Sequence, residues 1–375
     1  MKRCFDLRNE RGAALVWVAL MATILFGFTA LVIDVGFVAQ ERRRMVTAAD
    51  AAALAGAMEL AYNRKQEAPL AEAAAIAKAE SFALENGADF IDSITIETVE
   101  HNGENLKAVV ARVGCNVEYT FGKLLGFEGQ KVYASATAVY GFPLDGSNIL
   151  PIRHDSNIEL GVQVTLGNDK LAPGNWGFLR PNDGSQGESA VADIFRGRKS
   201  LSLRVQTGEE EDFAEIYTYT GKAGNQLIWG IEDRMKKVAD PRDNSITMEG
   251  LIPITDEFTD VSGTTKIRVI GFAYFRLIDV ITEEYKKVGG LYYSYGSEWS
   301  DLNWDPDKNC PVPNVKKMYG GYPQKPNPVH DDDEYPKGTI IGEFLEDRIL
   351  PVADVNKITQ DPSRDFGALV VRLIK

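Results

Sequence analysis

Hydrophobic and polar positions divide the chain sharply. Residues 13–33 read AALVWVALMATILFGFTALVI, with no charged side chain, and no second run of that length follows. A hydrocarbon core about 30 Å thick needs roughly 20 apolar residues in a helix. The run therefore predicts a transmembrane helix, spanning 13–37 with its polar exit at Asp34 and Gly36. Helix formers continue through FVAQERRRMVTAADAAALAGAMELA, so the helix extends to about residue 61, a rod about 75 Å long. A break at NRKQEAP precedes a second helix that Pro69 opens and Asn86-Gly87 closes. The pattern then changes to alternation, around Ile94, Ile96 and Thr98, then Val109, Ala111, Val113, Val117 and Tyr119, then Val132, Ala134, Ala136 and Ala138. Two helices followed by three such strands predict a helical hairpin on a small antiparallel sheet.

Around 142–157 the texture shifts to FPLDGSNILPIRHDSN. Beyond it, strands are expected at 159–166, 200–206, 248–254, 266–280, 288–295, 338–344 and 367–374, and helices at 189–196 and 225–238. In the latter, Leu227, Ile228, Ile231 and Met235 make one apolar face. Residues 296–337 carry seven prolines and the run Asp331-Asp332-Asp333-Glu334, and are expected as a surface loop. The fold class is α+β in four parts. They are a cytoplasmic tail (1–12), the membrane helix (13–37), the hairpin-and-sheet module (38–141) and a mainly β extracytoplasmic domain (142–375).

Charge sets the orientation and narrows the partners. The chain carries a net charge of −13. Residues 1–44 hold seven of its 41 Lys and Arg and four of its 54 Asp and Glu, leaving 34 basic against 50 acidic residues beyond. Lys2, Arg3, Arg8 and Arg11 precede the apolar run, but Arg42, Arg43 and Arg44 follow it, so the local positive-inside count is nearly balanced. The acidic remainder suits an outer compartment and is a poor match for nucleic acid. A cleaved signal peptide would have a shorter apolar core and a nearby small-residue site. A prepilin-type leader cut after Gly12 would carry Glu where Trp17 stands. An uncleaved anchor is the expectation.

Chemistry-bearing motifs are sparse. GVQVTLG at 161–167 lacks the Lys-Ser/Thr of a phosphate loop. Asp260, Ser262 and Thr264 have the DxSxS spacing of a von Willebrand A metal site, but no buried apolar strand leads into them. Asp305, Asp307 and Asn309 open like an EF-hand loop, yet Cys310 stands in place of Gly and Lys316 in place of Glu. Both read as turns. His101, His154 and His330 are scattered, and Cys115 and Cys310 are either a long-range pair or two buried thiols. No catalytic, metal or cofactor site is expected.

Two features remain as candidate sites. Asp34 is either a functional intramembrane carboxylate or, more simply, an interfacial one in water. The stretch AADAAALAGA at 48–57 has small residues on every side of the helix. Ala48, Ala49, Asp50, Ala52, Ala53 and Gly56 are therefore candidates for close packing on a partner helix.

The segment RGAALVWVALMATILFGFTALVIDVGFVAQERRRMVTAADAAALAGA at 11–57 resembles the N-terminal part of TadG-like proteins of the tight-adherence, or Flp pilus, assembly system. The shared landmarks are Arg11-Gly12, the membrane helix, Asp34 with Gly36, and the block from Asp50 through Ala57. FGKLLGF and VYASATAVYG resemble the end of the same module, and PGNWGFL, TGKAGN and GFAYFRL resemble distal parts of some members. Many members carry a von Willebrand A domain, which this sequence lacks. The resemblance implies a membrane-anchored, non-enzymatic pilus-assembly component acting with pilins or other assembly proteins. The competing readings are an adhesin or ligand-binding module using LYYSYGSEWSDLNW at 291–304, and a membrane-tethered envelope hydrolase, for which no catalytic set is evident.

Overall fold

The computed structural model describes residues 10–166, 177–205, 224–240, 242, 245–255, 268–288, 291–296, 304–305, 310–311, 318–319, 338–350 and 354–374. The architecture is α+β, with a long N-terminal apolar helix, few other helices and mostly antiparallel sheet. The chain divides into two compact units. One holds residues up to His101, Lys107–Val139 and those from Arg372; the other holds Asn102–Leu106 and Tyr140–Val371.

In the first unit, α1 (Glu10–Tyr62) is one uninterrupted helix of 53 residues. Its N-terminal part is exposed and reaches a mean hydropathy of 2.4, long and apolar enough to cross a membrane. Burial begins on one face at Asp34 and returns at Met45, Ala48, Ala49, Ala52 and Ala53, a helical spacing. Helix α2 (Ala68–Glu85) has Pro69 in its first turn, where the missing N–H costs nothing. It ends at Gly87, with φ of 89° and the Ala88 N–H returning to the Ala83 carbonyl at 3.1 Å. Its buried residues are Ala71, Ala75, Ala79 and Ala83, one every four positions. That stripe of small side chains lets α1 and α2 approach closely as an antiparallel pair.

The hairpin lies against three neighbouring strands, β1 (Phe90–His101), β2 (Glu104–Glu118) and β3 (Gly129–Pro143). β1 and β2 are joined by Asn102 and Gly103, both at positive φ as a two-residue hairpin turn requires. β2 and β3 run antiparallel from Ala108 opposite Val139 to Glu118 opposite Gly129. Val109, Ala111, Val113, Cys115 and Val117 are the buried alternate positions of β2. The β2–β3 connection holds a short 3₁₀ turn, Gly122–Leu125, which ends at Gly126 with φ of 87°.

The second unit is β-rich. Its main strands are β4 (Gln163–Leu166), β5 (Glu249–Thr255), β6 (Val269–Val288), β7 (Leu291–Gly296), β8 (Ile340–Leu345) and β9 (Ala368–Ile374) as far as Val371. β6 is central, antiparallel to β5, β7 and β8, with β4 outside β8. Two helices, α3 (Glu188–Phe195) and α4 (Asn225–Ala239), complete the core. Leu227, Ile228, Ile231 and Met235 form the buried face of α4. Phe275 and Phe344 meet edge to face at 5.3 Å between centroids.

Three expectations change in detail. The strand expected at 266–280 continues to Val288, because backbone pairing with β7 carries the polar residues 282–287 that lack an apolar pattern. The run expected at 200–206 reduces to Leu203–Arg204, paired with Asp145–Gly146. The loop expected at 296–337 contains short pairings, Trp304–Asp305 with Cys310–Pro311 and Met318–Tyr319 with β7.

Candidate functional site

The expected site residues fall on one continuous length of α1, from the end of the apolar run to the middle of the helical hairpin. Asp34 comes first. It is only 6% exposed. One carboxylate oxygen, Oδ1, accepts from the Thr120 N–H at 2.8 Å and the Phe121 N–H at 3.3 Å. The other, Oδ2, accepts from Phe121 at 3.0 Å and Gly122 at 2.7 Å. The physical reason lies in the 3₁₀ turn at 122–125. The first N–H groups of such a turn have no partner within it, and a carboxylate satisfies them as an N-cap does. Here the cap comes from a helix 86 to 88 positions away in sequence. Gly36, two residues on, is exposed, with nothing within 4 Å of where a Cβ would stand.

Above it, Glu41 pairs with Arg44 at 3.2 Å and lies 3.9 Å from the Cys115 Sγ. The Arg44 guanidinium packs over Gly87, in space that a Cβ there would fill. Cys115 is a buried free thiol. Burial, then the nearby Glu41 and Asp89 carboxylates, push its pKa above the ordinary 9.0. Asp89 in turn accepts the Asn116 N–H at 2.8 Å.

The small-residue stretch then enters the hairpin. Ala48, Ala49, Ala52 and Ala53 have no exposed surface, Gly56 is buried, and Asp50 is half-buried. A Cβ on Gly56 would stand 2.9 Å from Val109 Cγ1, 3.1 Å from Ala79 Cβ and 3.2 Å from the Ala75 carbonyl oxygen. At Gly56 this face meets α2 and β2 of its own chain. The sequence signal for the true neighbour was the Ala71, Ala75, Ala79 and Ala83 stripe, complementary in size and also at helical spacing.

Sequence reasoning missed the other side of the Asp34 contact. The β2–β3 connection exposes Phe121, Leu124 and Phe127, at 36%, 84% and 64%. The signal was present in FGKLLGF, where apolar residues alternate with turn-forming glycines.

Much of the remaining motif set lies outside the described residues. Residues 260–264 lie outside the described residues, as do 306–309 and 312–317 of the calcium-loop candidate and 297–303 of the aromatic stretch. His101 lies 2.9 Å from the Arg372 guanidinium; burial and that charge lower its pKa. His154 contacts the Asp155 carbonyl through Nδ1 at 3.0 Å. His330 lies outside the described residues. Among the described residues no three His, Cys, Asp or Glu side chains converge.

Comparison with known families matches residues 12–59 to the Tad model, described as Flp pilus-assembly TadE/G-like. The match contains Asp34, Gly36 and the whole small-residue stretch. No curated protein and no solved structure matches the chain. Residues 12–59 are therefore TadE/G-like, which supports a role related to pilus assembly.

Proposed function

We propose that the chain is a membrane-anchored, non-enzymatic component of a Tad/Flp-type pilus-assembly system. In this reading the N-terminus is cytoplasmic and the chain beyond the membrane helix lies outside. The observation that carries it is coincidence: the TadE/G-like match covers the one helix among the described residues that is apolar enough to span a bilayer. The acidic balance beyond residue 44 supports the outward orientation. The partners are pilins or other assembly proteins. The small-residue face is occupied within the chain, which leaves the uncovered apolar length of α1 for helix packing inside the bilayer.

Two measurements test this reading. Protease added to spheroplasts should remove the units beyond residue 40; their protection would contradict the orientation. After mild detergent extraction, the tagged protein should co-purify with pilus-assembly proteins or pilin. Recovery of the chain alone would contradict the role.

A further inference from the structure

We propose that the β2–β3 connection is a second membrane contact, a foot that rests in the lipid interface beside α1. The proposal rests on the anchoring role of α1. It begins from depth. The uncharged run 13–33 has about the length that the hydrocarbon core requires, so Asp34 stands within a turn of the hydrocarbon boundary. The bonds from Asp34 to the N–H groups of Thr120, Phe121 and Gly122 hold the connection at that same level. Ala30, one turn deeper in the apolar run, is also partly covered.

What the connection presents there is apolar. Phe121, Leu124 and Phe127 are exposed, and Leu124 is almost wholly so. Such an apolar cluster is unfavourable in water, whereas at the rim of a bilayer it continues the apolar surface of α1. Lys123 is tied to Glu118 at 2.6 Å, and a lysine can keep its charged end at headgroup level.

The backbone suits the same location. Non-helical chain near the hydrocarbon must have its N–H groups satisfied by protein. Besides the three bonded to Asp34, Tyr119 donates to the Glu128 carbonyl, Leu124 to Phe121, Gly126 to Lys123 and Phe127 to Gly122, all between 3.0 and 3.1 Å. The occupant this selects is the phospholipid interface itself. A foot beside the helix would also restrict tilt of the outer units about a single anchor.

The test uses the full chain in phosphatidylethanolamine/phosphatidylglycerol vesicles. With Cys4, Cys115 and Cys310 replaced by Ser, a nitroxide is placed in turn at Leu124→Cys, Phe127→Cys, Asn102→Cys and Phe26→Cys. Positions 124 and 127 should collide more with oxygen than with a water-soluble nickel chelate, as position 26 should. Position 102 should show the reverse. A lipid-buried label at 26 with aqueous labels at 124 and 127 would overturn the foot and leave the anchor standing. An aqueous label at 26 would overturn the anchor itself. Should the cysteine-free chain fail to fold, a photoreactive residue at position 124 of the native-cysteine chain replaces it. Cross-linking to phospholipid supports the foot; cross-linking to a second copy of the chain, or to neither, refutes it.

Discussion

Replacing Ala52 and Gly56 together with Leu distinguishes a structural face from a partner site. Both positions lie on the buried side of α1, and Ala52 has no exposed surface. At Gly56 even the first added carbon meets Ala79 Cβ at 3.1 Å and the Ala75 carbonyl oxygen at 3.2 Å, and neither atom can rotate away. Overpacking of this kind costs about 1–3 kcal/mol per site. The two sites are one turn apart and share α2, so their costs do not simply add; a total on the order of 2–5 kcal/mol is expected. The better helix propensity of Leu over Gly returns less than about 1 kcal/mol. Against a typical stability of about 5–15 kcal/mol, the loss is large. It corresponds to a fall in melting temperature on the order of 10 °C. The buried Cys115 thiol reports on this unit. In the full chain, the temperature at which the Cys115 peptide becomes labelled by a maleimide, read by mass spectrometry, should drop accordingly, and protein level in cells should fall. Val46→Leu, at an exposed position on the same helix, should change the midpoint little. An unchanged labelling midpoint with lost piliation would refute the reasoning, since the face would then serve a partner.

Other consequences follow from single contacts. Asp34→Ala removes the acceptor for three backbone N–H groups, so amide exchange at residues 120–122 should accelerate while exchange in α2 stays slow; unchanged exchange at 120–122 would mean that the cap is not formed. Arg234 is buried, its pKa lowered to about 10 by that burial, and its guanidinium donates to the Thr247 carbonyl at 2.7 Å and the Phe195 carbonyl at 3.2 Å. Arg234→Met leaves both carbonyls without that donor and should cost about 1–3 kcal/mol in denaturant unfolding of the full chain; a neutral result would show that water replaces it. Cys115 has a pKa above 9.0 in the fold, so the neutral thiol is favoured and its stabilisation, complete below the unfolded value, is lost as pH rises through the folded one. Alkylation at neutral pH should therefore be slow in the native chain and fast in denaturant; equal rates would contradict its burial.

Much of the fold is legible because local pattern decides it. The apolar run, the helix formers after it and Asn86-Gly87 mark α1 and α2 to within about three residues of their observed ends. The apolar face of α4 is one buried face, since amphipathic spacing records which side meets the core. β6 was read short, because strand pairing through the backbone leaves no trace in the side chains of 282–287. The candidate site is the least legible part. A run of small residues shows that something packs closely without saying what: α2 is the next element in the chain, but β2 lies beyond it. Asp34 likewise carries no mark of its partner, because the groups it binds are backbone N–H donors that any sequence possesses.

Deletion of the gene with electron microscopy of the cell surface tests the pilus-assembly role most directly, with pilin level measured in the same cells. The account predicts loss of surface pili at unchanged pilin expression, restored by the full chain and not by a chain lacking residues 10–40. Normal pili in the deletion strain would contradict it.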